Sequence, residues 1–155
     1  MRHLIKHPKR RGAWAELQFP PPQNAKTGRS GDPGAARAAS FGLIVCKPWG
    51  DTARFDFIVA HGSSHCRVQV KSTATSKTGY YKCWLTSRNH YKAADFDFLA
   101  VYIIPEEIWY VIPWSQVCRR SRALILHPHG PRSRYQKYLE AWHLLSKTAA
   151  KARAR

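Results

Sequence analysis

Acidic residues are scarce in this chain: nine Asp and Glu stand against 26 Lys and Arg among 155 residues, a formal net charge of +17 at pH 7. Such an excess favours a polyanionic partner, because each phosphate it neutralises releases condensed counterions. No apolar run reaches the roughly 18 residues that a membrane-spanning helix needs, and no basic amphipathic helix stands out, so no membrane partner is expected. Four cysteines, Cys46, Cys66, Cys83 and Cys118, form no CxxC pair and keep no regular spacing. That argues against a disulfide framework and for reduced, mostly buried thiols. A zinc site on Cys66, His61 and His65 lacks a second ligand cluster at structural-site spacing. The motifs GxSxG, GxGxxG and the P-loop are missing, which leaves serine or cysteine nucleophile chemistry without support. Met1 to Arg11 is basic without a following apolar segment, so a cytoplasmic, nucleoid-associated location is expected rather than secretion.

What is present suffices for one folded domain over residues 1–155. Hydrophobic residues make up 44% and aromatics 12%, including six Trp and seven Tyr, which is more apolar material than a disordered polyelectrolyte carries. Gly12 to Phe19 has a helical texture that stops at Pro20, Pro21 and Pro22. Residues 20–34, rich in Pro, Gly, Ser, Asn and Lys, read as a disordered inserted loop, and helical character resumes from Ala35 to Phe41 with Gly42 as the stop. Strand-like runs follow at Leu43–Cys46, Phe55–Ala60 and Cys66–Lys71, the last two joined by Gly62, Ser63 and Ser64 as an antiparallel hairpin. Runs at Tyr80–Leu85, Phe98–Ile104 and Ile108–Ile112 extend the sheet, with Pro105 and Glu106 supplying a turn. Tyr135, Tyr138, Leu139, Trp142 and Leu145 fall at helical spacing and predict one amphipathic helix. Residues 147–155 read as a basic disordered tail.

The nine carboxylates narrow the chemistry. Asp56 lies in the apolar run Phe55, Phe57, Ile58, Val59, where alternation sets it and Ile58 opposite Phe55, Phe57 and Val59. A carboxylate there is costly to desolvate unless it is paired or bound to a cation. In the next strand Gln69 and Lys71 are two apart and share a face, so across the hairpin they converge with Asp56. A metal-dependent phosphodiesterase needs this arrangement: oxygen ligands hold Mg²⁺, or Mn²⁺ in its place, against the scissile phosphate, and a lysine positions water or offsets developing charge. Lys47, Arg54, Lys77, Lys82 and Arg88 are candidate phosphate contacts in double-stranded DNA.

The run Lys47-Pro48-Trp49-Gly50-Asp51, then Arg54-Phe55-Asp56-Phe57, then Val68-Gln69-Val70-Lys71-Ser72-Thr73 resembles the PD-(D/E)XK nuclease superfamily, and within it the endonucleases associated with group I introns in bacteria. The likeness continues through Tyr102, Pro105, Trp109, Tyr110 and Pro113 to Ala141, Trp142, Leu144 and Leu145. It implies an α/β (α+β) restriction-endonuclease-like core, a central mixed sheet with an antiparallel hairpin carrying the active site, flanked by helices. It also implies that Asp56 and Lys71 are the motif residues and that Glu16 is the first-helix glutamate that completes the metal shell. Gln69 departs from the usual Asp or Glu and brings no charge, so metal binding leans on Asp56 and Glu16. The 20–34 segment departs as well, interrupting what would be one longer helix.

Plainer readings compete. Asp56 can be an ion-pair partner of Arg54 or Arg67, and Asp95 and Asp97 are read as turn or N-cap residues. The leading function is a site-specific, homing-type DNA endonuclease acting as a homodimer or higher homo-oligomer, since two strands must be cut by subunits with one site each. The alternatives are a Holliday-junction resolvase-like nuclease and a non-catalytic DNA-binding module with a degenerate site.

Overall fold

The computed structural model describes residues 31–50, 52–61, 64–85, 91–117, 122–130 and 133–146. Helix α1 (Gly31–Ser40) carries Asp32 in its first turn. It begins ahead of the expected Ala35 and takes in residues 31–34 of the expected loop. An acidic group favours the positive end of the helix dipole, and Pro33 fits a first turn where N–H groups have no helical acceptor. Gly42, at φ 75°, closes the helix as expected, its N–H donating to Ala39 O at 2.9 Å.

Eight strands are described: β1 (Ile44–Cys46), β2 (Phe57–His61), β3 (Ser64–Thr73), β4 (Ser76–Lys77), β5 (Tyr80–Trp84), β6 (Phe98–Ile103), β7 (Ile108–Pro113) and β8 (Ala123–Leu126). A mixed five-stranded sheet runs in the order β1-β2-β3-β6-β7. The expected hairpin of β2 and β3 is antiparallel, from Phe57 opposite Val68 to His61 opposite Ser64. β3 and β6 are parallel, from Val68 beside Phe98 to Thr73 beside Ile103. β6 and β7 are antiparallel, joined by a 3₁₀ turn at Ile104–Glu106 with Glu107 left-handed at φ 54°, where Pro105 and Glu106 were expected to turn the chain.

All six residues of β6 are buried, which is why the strand reads as an unbroken apolar run: both faces of the sheet are covered. On one face Phe57, Val59, Val68, Val70 and Ala100 pack with Ala38 of α1, Trp142 and Leu145. On the other, Leu99, Val101, Ile103, Tyr110 and Ile112 pack with Tyr81, Cys83, Leu124 and Leu126. These last four come from a second, three-stranded sheet of order β4-β5-β8. The Tyr80–Leu85 run thus starts a second layer rather than extending the first sheet.

The predicted C-terminal helix is divided. Gln136–Tyr138 form a 3₁₀ turn, Leu139 bridges to Tyr110, Glu140 is left-handed at φ 47°, and 143–146 are helical. Tyr135 and Tyr138 belong to the second core, Trp142 and Leu145 to the first, so one straight helix could not serve both. Glu140 fixes the break: its Oε1 accepts from Trp109 N at 2.8 Å, and its Oε2 accepts from Trp142 Nε1 at 3.0 Å and from Arg37 at 3.2 Å.

Candidate active site

The site forms where β2 parts from β3. Asp56 stands just before β2, in a bend over residues 54–56, not within a strand as the alternation suggested. The bend sends Phe55 toward the second core and Phe57 into the first. Asp56 N donates to Val68 O at 2.9 Å, and the backbone ladder ends there. Val70, the next β3 residue facing that edge, donates its N–H at 2.6 Å to Asp56 Oδ2. The carboxylate therefore takes the place of a strand carbonyl, and β3's own backbone sets its position.

Gln69 lies on the other face of β3 from Val68 and Val70. Its Nε2 donates to Asp56 Oδ2 and, at 3.1 Å, to Val70 O. Both hydrogen bonds to the Asp56 carboxylate from the described residues thus fall on Oδ2. Burial holds the Asp56 carboxyl above the ordinary carboxylate range, against the Val70 hydrogen bond and the charges of Lys71 and Lys47, while Asp32 adds to the rise.

Lys71 shares Gln69's face, and its Nζ lies 5.4 Å from the Tyr91 ring centroid, within cation–π range. The Tyr91 ring meets Phe96 edge-on at 5.0 Å and Trp114 at 6.1 Å. Phe96 is fully buried, so the platform under the lysine is anchored in the core. The turn that carries it is tied by Asp95, whose Oδ2 accepts from Lys92 N at 2.7 Å and pairs with Arg54 at 3.4 Å.

The sequence-derived residues sort accordingly. Asp56, Gln69 and Lys71 come together as expected. Glu16, Asp51 and Arg88 lie outside the described residues. Lys47 is drawn to the rim of the site, in an ion pair with Asp32, a residue the loop reading passed over. Lys77 and Lys82 lie on β4 and β5. Arg67, one of the two cations considered as an ion-pair partner for Asp56, instead grips Asp97 with Nε at 3.2 Å and Nη2 at 3.0 Å. Asp95 has its turn role, whereas Asp97 is an ion-pair residue joining β3 to the start of β6. Tyr91 was missed because nothing in its local pattern distinguishes it from a core aromatic. Burial pushes the Cys66 thiol up to about 12, and Cys66 Sγ donates to Leu145 O at 3.7 Å, so it serves the core as a protonated thiol.

The donor set suits a hard divalent cation. Asp56 offers a carboxylate whose partly desolvated charge a cation would offset, and Gln69 offers an amide oxygen, Oε1, that accepts no hydrogen bond from the described residues. Among those residues no group of three or more His, Cys, Asp or Glu that could hold a metal ion is gathered.

No curated protein matches the chain. Among solved structures, the bacterial homing endonuclease I-Ssp6803I is similar, with a TM-score of 0.67 and 29% identity over 79% of this chain and 91% of that one. The present chain, with its five-stranded mixed sheet and second antiparallel sheet, shares that restriction-endonuclease-like fold. The profile of the PD-(D/E)XK endonuclease family matches residues 26–145, and the chain belongs to that family.

Proposed function

We propose that this nuclease is a metal-dependent, homing-type endonuclease that hydrolyses phosphodiester bonds in double-stranded DNA at a specific site. The observation that carries the reading is the half-buried Asp56 carboxylate, held by Val70 N–H and Gln69 beside Lys71. Mg²⁺, or Mn²⁺ in its place, would be held by Asp56, Gln69 Oε1 and Glu16, and when bound it supplies charge neutralisation at the phosphate and an acidified water. Asp56 keeps Oδ2 on the protein's donors and would give its other oxygen to the cation. Lys71, steadied on Tyr91, brings its ammonium toward a phosphate oxygen and offsets charge as the bond to the leaving oxygen lengthens. Gln69 orients Asp56 without adding charge. Two such centres cut two strands, which supports a homodimer or higher homo-oligomer working on DNA in the cytoplasm and nucleoid.

The test is nicking of supercoiled plasmid by wild type and Asp56→Ala with Mg²⁺, Mn²⁺ or EDTA. Metal-dependent nicking that the variant loses by at least about a hundredfold, with DNA binding retained, is expected. Binding without cutting under every condition would favour the non-catalytic module, for which the neutral Gln69 is the motivating departure.

A further inference from the structure

The second sheet has an outward face that takes no part in the catalytic centre, although two of its lysines, Lys77 and Lys82, are among the candidate phosphate contacts. Along β5 the residues alternate: Tyr81 and Cys83 point into the core, while Tyr80, Lys82 and Trp84 point away from it. β8 continues the pattern, with Leu124 and Leu126 inward and Ile125, opposite Lys82, outward. Lys77 lies opposite Tyr80 and is exposed, as is Arg122 at the other end. Trp84 is 52% exposed and Ile125 40%, large apolar groups left facing water in a small sheet. The Lys82 ammonium lies 3.8 Å from the Trp84 ring, and Tyr80 meets His127 at 5.6 Å.

Charge decides what fits. No Asp or Glu occurs in β4, β5, β8 or the Thr78–Gly79 turn. Nearby Glu106 is already engaged, accepting from Tyr81 OH at 2.7 Å and pairing with His129 at 3.3 Å. The face is therefore cationic and aromatic, suited to phosphates and to sugar or base edges rather than to an acidic rim's partner. Its placement also fits: β4 follows β3 directly, and the hairpin is bolted to the end of β3, with Thr73 Oγ1 donating to Lys82 O at 2.7 Å and Lys82 N to Thr75 O at 3.0 Å. Lys71 is two residues before that anchor.

We infer that the outward face of β4, β5 and β8 is a docking surface for duplex DNA flanking the cleaved bond, with Lys77 and Lys82 on phosphates and Trp84 and Ile125 against the groove wall. The inference rests on the double-stranded DNA reading and extends it to a surface outside the catalytic centre. It makes the hairpin a device for holding a long target in register with Asp56.

The experiment measures fluorescence anisotropy of a labelled mixed-sequence duplex across a salt series, in an Asp56→Ala background that cannot cut. Lys82→Gln/Trp84→Thr is compared with its parent, and Lys77→Gln/Lys82→Gln removes charge alone from exposed positions should the first variant fold poorly. About tenfold weaker binding is expected at about 0.1 M salt, with the salt slope flatter by about one for each lysine removed. In the cutting-competent chain the half-saturating DNA concentration should rise while the rate at saturation changes far less. Affinity and slope equal to the parent's would overturn the inference and leave the nuclease reading standing. So would a smaller sedimenting species with unchanged DNA affinity, which would make the face a contact between copies. Failure of the parent itself to bind duplex would remove both.

Discussion

Asp56 is held in a setting that suits chemistry better than stability. Burial raises its carboxyl above 3.8, so the folded chain keeps a proton where the unfolded chain has lost it. Its stabilising contribution is complete below that unfolded value and disappears as pH rises through the raised folded one. Asp56→Asn should therefore raise the melting temperature in EDTA at pH 7, by roughly 2–4 °C, while abolishing nicking. Thermal unfolding should show the gain shrinking as pH falls toward 3.8, and a loss of stability at neutral pH would contradict the buried-charge account. Tyr91 is expected to position Lys71: Tyr91→Leu should lower the cleavage rate about fivefold, Tyr91→Phe should restore it, and neither should matter once Lys71 is Met. An equal loss in Phe and Leu would point to the hydroxyl instead of the ring face. Gln69 and Lys71 were legible from sequence because a period of two puts them on one face wherever the strand lies. Tyr91 was not, because only the path of the chain between β3 and β6 brings it under Lys71.

Helix α1 approaches the sheet as closely as it does because residue 34 has no side chain. A Cβ there would stand 2.9 Å from Val70 Cγ2 and 3.3 Å from the Phe57 ring, and Val70 is the residue whose N–H fixes Asp56. Gly34→Ala should cost about 1–3 kcal/mol, measured by denaturant unfolding, and should reduce nicking more than a similarly destabilising change remote from the site. Strands were read well where an apolar run had clear punctuation: β1, β2, β3, β5, β6 and β7 all lie within two residues of their expected bounds. β8 escaped notice because four residues between basic and His-Pro stretches carry little signal. The C-terminal helix was overcalled because a helical spacing of aromatics can also arise from a chain that changes direction to fill two cores, and only the position of Glu140 against Trp109 reveals which applies.

At the scale of the molecule, 26 cations on a chain of 155 residues make affinity for DNA strongly dependent on ionic strength. If six to ten of them meet phosphates, binding should weaken by about a thousandfold or more between roughly 50 and 200 mM salt, and a shallow slope by anisotropy would rule out that footprint. The parallel pairing of β3 with β6 has a separate consequence, for the order in which the molecule is made. β1, β2 and β3 can zip together from neighbouring segments, and so can β6 and β7, but the join between these halves waits on the chain from Thr73 to Phe98. Closing a loop of that length around parallel strands is the slow kind of folding step. On the ribosome, Val68–Thr73 must then stand with one bare edge until the second hairpin has been synthesised, which makes the strand that bears Gln69 and Lys71 the part of the newborn chain most in need of protection from aggregation.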